Sequence, residues 1–138
     1  MEPVRDYAAF CQSQLKSFKN LFVDQNCKQE ILDMIKAIEE GRPILDIADS
    51  EKGTFSTIFE PFHFGNWEIQ RFFRQGLPSN PNYWQFSGLA ADIESMTDEY
   101  VIRENEPEEE ERKELLGYLK KFIEILPDLD TFQSWLKN

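Results

Sequence analysis

The chain holds one histidine, two cysteines and 26 acidic residues, and these bound the chemistry it can attempt. His63 sits between Phe62 and Phe64, and a Ser-His-Asp or Cys-His arrangement would have to use it, yet no serine or cysteine stands at a diagnostic spacing. Asp46, Asp49 and Glu51 in "DIADSE" offer oxygens to a hard cation. They lack the glycine and the periodic acids of a calcium loop, and a solvated turn is the simpler reading. The glycines at 41, 53, 65, 76, 88 and 117 occur singly and build no phosphate cradle. Cys11 falls on an apolar helical stripe and Cys27 lies just inside the next helix, which is how reduced core thiols are placed. The expectation is a chain that is not an enzyme, with no catalytic residue, no metal site and no cofactor.

The carboxylates are more informative. Fifteen bases against 26 acids leave a net charge of −11, and the excess is concentrated after residue 92. There Glu104, Glu106, Glu108, Glu109, Glu110, Glu111 and Glu114 follow Asp92, Glu94, Asp98 and Glu99. Acids at the start of a helix complement its dipole and need no partner to explain them. If the helices carrying the two groups pack side by side, however, their outer faces merge into one negative surface suited to a Lys/Arg-rich protein. Such a field repels nucleic acid and anionic membrane and speeds the encounter with a basic protein.

The aromatics divide differently. Residues 55 to 86 hold Phe55, Phe59, Phe62, Phe64, Trp67, Phe72, Phe73, Tyr83, Trp84 and Phe86. Each fully buried ring contributes about 1.5 to 3 kcal/mol, so most are read as core. Ten rings exceed what one face of a short element can bury, and "NPNYWQF" is the piece expected at the surface, with Tyr83 and Trp84 as binding anchors.

Several elements must position these groups. Val4, Tyr7, Ala8, Cys11, Leu15, Phe18 and Phe22 form the stripe of a helix over 4–22. Asn26 with Gln29 opens a second helix that buries Ile31, Met34, Ile35 and Ile38, and Gly41 and Pro43 stop it. The middle is ambiguous: 55–64 fits a helical turn or a small β-hairpin, and 67–75 reads as helix. Leu89, Ile93, Met96 and Tyr100 mark another helix, with Asn82 or Ser87 as its cap. "RENEPEEEERKELLGYLKKFIEILPD" is the clearest helix, with Pro107 in its first turn, and Asp130 with Gln133 begins a short last one. The fold expected is mainly α, a compact single domain over 1–138 of about five to six helices, with α+β as the alternative if the hairpin forms.

The N-terminus lacks the basic and apolar regions of an export signal, and no stretch approaches the roughly 18 apolar residues of a membrane helix, so a cytoplasmic protein is expected. In size, charge and absence of catalytic constellations, the chain resembles the small acidic immunity proteins with which bacteria neutralise their own nuclease or other toxins. The resemblance rests on no motif and carries over no residue roles. It implies an inhibitor-type binding module, monomer or weak dimer, that occupies a basic partner such as a cognate toxin. Contacts would come from Asp92, Glu94, Asp98, Glu99, Glu104, Glu106, Glu108, Glu109, Glu110, Glu111, Tyr83 and Trp84. A secretion chaperone or adaptor is the alternative within the binding class. A small metal-dependent enzyme built on Asp46, Asp49, Glu51 and His63 is the alternative outside it.

Overall fold

A computed structural model describes residues 7–48, 55–62 and 80–137. The expected helix over 67–75, and Asp49, Glu51, His63, Phe64, Trp67, Phe72 and Phe73, lie outside the described residues. Among the described residues seven α-helices follow in chain order: α1 (Tyr7–Phe18), α2 (Cys27–Glu39), α3 (Ile44–Ala48), α4 (55–62), α5 (Pro81–Ile102), α6 (Glu109–Ile125) and α7 (Leu129–Trp135). The described residues contain no strand, so the hairpin alternative does not hold at 55–62. The mainly α bundle is the fold.

The first helix ends earlier than its stripe implies. After Phe18 the backbone widens into a π-helical segment, Lys19–Asp24, which closes with Gln25 N–H donating to Asn20 O at 3.0 Å. Phe22 still packs on Phe18, with ring centroids 5.0 Å apart. Asn26 does open α2, by a different device from a capping box: its backbone is left-handed (φ 53°), and Gln29 turns its side chain to Asp33 instead. Gly41 at φ +86° lets the chain leave α2, with Gly41 and Arg42 N–H groups donating to Ile38 and Ala37 carbonyls.

Helix α5 begins at Pro81, and its cap is Asn80, whose side chain accepts from Asn82 N–H at 2.9 Å. "Asn-Pro-Asn" is therefore a helix start with proline at its first position and not a loop. That register places Tyr83 on the stripe with Phe86, Ala90 and Ile93, all fully buried. Tyr83 is thus corrected from surface anchor to core residue. Trp84 is half-buried against it, ring to ring at 5.3 Å. Helix α6 starts at Glu109, so Pro107 precedes it, and α7 is capped by Asp128 accepting from Thr131 N–H at 2.7 Å, two residues before the expected Asp130.

The core is aromatic. Phe18 stacks on Phe132 at 4.4 Å, Phe86 on Phe122 at 4.9 Å, and Phe62 meets Phe86 edge-on at 5.1 Å. These contacts join α1, α4, α5, α6 and α7 in one cluster. Two carbonyls of α4 find side-chain donors: Gln14 Nε2 donates to Pro61 O at 2.9 Å and Ser87 Oγ to Phe62 O at 2.7 Å. Around the cluster, α6 lies against α2 and α5, and α3 lies against α5.

Candidate acidic groove between two helices

Because α5 and α6 pack side by side, the condition for a merged negative surface is met. Spacings of three and four along α5 put Asp92, Ser95, Met96, Glu99 and Tyr100 on one flank, and Glu111, Glu114 and Tyr118 face them from α6. The result is a groove of about 440 Å³ that contains four carboxylates and no basic side chain among its described lining residues. Its tyrosines register the field. Burial first, and then the charges of Glu111 and Glu114, push the Tyr100 phenol up to about 12. Glu114 first, with Asp92 further off, raises Tyr118, whose hydroxyl donates to Glu114 Oε1 at 3.3 Å. Of the groove acids, Glu99 pairs with Arg103 at 3.0 Å on the exposed surface, a contact of small net worth.

The remaining acids do other things. Glu106 works inside the molecule: its carboxylate accepts from the N–H groups of Ile44 (2.8 Å) and Leu45 (2.9 Å) at the start of α3 and from Arg112 Nη1 (3.0 Å). Arg112 then reaches Ile38 O with its other arm at 3.0 Å. This clamp ties the end of α2 and the start of α3 to the front of α6, so Glu106 is only half available to a partner. Glu104 is exposed in the α5–α6 turn at φ 51°, and Glu108, Glu109 and Glu110 are exposed around the first turn of α6. There they complement its dipole.

Glu94 and Asp98 are on the opposite flank of α5 from the groove. Glu94 is only 7% exposed, so it is a buried carboxyl and not part of the merged outer surface. Its Oε2 has no hydrogen-bond partner. Burial first, then the charges of Asp98 and of Glu60 on α4, push it up from an ordinary 4.5 to about 7.

Sequence reasoning thus found Asp92, Glu99 and Glu111 of the groove, with Glu114 as part of the acid run, and missed its other walls, Ser95, Met96, Tyr100 and Tyr118. Their positions relative to Asp92 and Glu111 were the available signal, since residues three, four, seven or eight apart share a helix flank.

Asp46 lines another cavity, also about 440 Å³, with Glu30, Asp33, Arg42 and the apolar Met34, Ala37 and Ile47. Cys27 lies in its wall with a thiol that burial, and then Glu30, push up to about 12. Among the described residues no three Asp, Glu, Cys or His side chains are placed to share a metal ion. Nor is any described helix long and apolar enough to cross a membrane. Compared with the profiles of known families, with curated proteins and with solved structures, the chain matches none.

Proposed function

We propose that this chain is a non-enzymatic acidic binding module that receives a basic protein in the groove between α5 and α6, in the manner of an immunity or inhibitor protein neutralising a basic toxin. The observation that carries the reading is the groove itself: Asp92, Glu99, Glu111 and Glu114 converge with no base among its described lining residues, over a floor that includes Met96 and two tyrosines. Aromatic and methionine surface inside a ring of one charge sign combines the two ingredients of a protein interface, an apolar anchor and an electrostatic guide. Such a module needs no active site: charge raises the rate of encounter and packing in the groove slows escape.

The test is affinity capture from the native host's lysate at low and at high salt, with wild type and an E99K/E111K/E114K variant whose fold is checked by circular dichroism. A basic protein held by wild type, lost by the variant and weakened by salt supports the reading. Its purified form should then associate at least tenfold more slowly with the variant. No basic protein captured under either salt condition, or equal capture by the variant, refutes it.

A further inference from the structure

Glu94 is the one buried side-chain polar atom group of the described residues left with an unpartnered oxygen, Oε2. Buried carboxylates are ordinarily hydrogen-bonded or paired, and an orphan needs a reason. Its surroundings do not neutralise it. Asp98 lies one turn along the same face of α5 and Glu60 approaches from α4, and both oppose its charge. Ser56 on α4 donates its hydroxyl to Asp98 Oδ1 at 3.3 Å and so leaves Glu94 unassisted. Exposure grades inward through the three acids: Glu60 is exposed, Asp98 half-buried and Glu94 buried.

We propose that the recess of Glu60, Asp98 and Glu94 seats a cationic side chain, a guanidinium or ammonium group, supplied by the basic protein. This rests on the reading of the chain as a receiver of such a partner. A metal ion is not the occupant the geometry favours, since no described trio of ligands is placed for one. The position on α5 ties the recess to the groove. At 3.6 residues per turn, Glu94 and Asp98 stand on one side of the strip bearing Ala91, Ser95 and Ile102, and Asp92 and Glu99 on the other. Ser95 is exposed and Ile102 is 79% exposed, so a partner laid along this strip reaches both sets of carboxylates.

The experiment titrates methylguanidinium and methylammonium into the full chain at pH 7.5 and constant ionic strength, with the Glu94 carboxyl carbon followed by NMR. Wild type should saturate in the millimolar range with the Glu94 resonance moving to its ionised position. E94Q should lose the saturable step, E60Q should weaken it at least threefold, and E40Q, at the exposed end of α2, should leave it unchanged. An absent response, or one that persists unaltered in E94Q, overturns the proposal. A recess that binds these cations while E99K/E111K/E114K captures as wild type does would sink the groove reading alone. Partner capture lost in the groove variant but unchanged in E94Q would sink the recess as a partner's seat.

Discussion

Replacing Glu94 by glutamine isolates the cost of holding a carboxylate where this fold holds it. The folded chain binds the Glu94 proton more tightly than the unfolded chain, from an ordinary 4.5 to about 7. Below about pH 4.5 both states carry the proton and the group contributes nothing to pH dependence. Between there and pH 7 the unfolded chain releases it while the folded chain keeps it, so stability falls as pH rises, at about 1.4 kcal/mol per pH unit. Above pH 7 both are ionised and a loss of about 3 kcal/mol is complete. Glutamine keeps the shape and removes the ionisation, at a desolvation cost of about 1 kcal/mol for its amide. E94Q should therefore exceed wild type by about 2 kcal/mol at pH 8, and the advantage should shrink to near zero at pH 5.5. Urea unfolding followed by tryptophan fluorescence at the two pH values reads this as a midpoint raised by about 1 M at pH 8 only. An E94Q protein no more stable than wild type at pH 8 would show the carboxylate already compensated within the chain, and the reasoning from burial would be wrong.

Three further outcomes follow from neighbouring features. Glu106→Ala should destabilise by about 2 to 4 kcal/mol in urea unfolding, because two backbone donors of α3 and the Arg112 guanidinium lose their acceptor together. Gly41→Ala should cost about 1 to 2 kcal/mol in the same assay; nothing crowds an added Cβ there, so the loss measures the φ +86° backbone alone. Cys27 should resist iodoacetamide at pH 8, with labelling by mass spectrometry appearing only on unfolding, since its thiol is pushed up to about 12 and it is 1% exposed.

Legibility in the sequence followed the range of the interactions involved. Helices α2 and α6 were readable because their buried residues, Ile31, Met34, Ile35 and Ile38 in one and Leu115, Leu119 and Phe122 in the other, repeat at helical steps within one segment. Helix starts were less readable because a cap depends on one local bond, and Asn80 and Asp128 competed with equally good candidates at Asn82 and Asp130. Shifting the α5 start to Pro81 reversed the fate of Tyr83, since a helix brings its side chain onto the stripe of Phe86 and Ala90 while a loop would have left it free. The same stripe held a signal that went unused: Tyr83, Ser87, Ala90, Glu94 and Thr97 follow at steps of four and three, which marks Glu94 as buried despite its charge. The π-helical turn after Phe18 and the clamp of Glu106 on α3 had no such signal. The clamp joins residues 62 apart, and nothing in the local sequence states which distant N–H a carboxylate will meet.

Counting acids therefore overstates how many act as one surface field. Charges act as one field only when they lie within a Debye length, about 8 Å at physiological ionic strength. Asp92 and Glu99 stand about 10 Å apart along α5, a little beyond that length, but Tyr118 feels both Asp92 and Glu114 and Tyr100 feels both Glu111 and Glu114, so the charges of the two flanks overlap. Glu106 spends its charge on Arg112 and the α3 amides, and Glu109 and Glu110 spend theirs on the α6 dipole. Glu94 at neutral pH shares its site with a proton. The last third of the chain thus divides its acids among structure, strain and surface, and where two helix flanks meet the excess lines a groove.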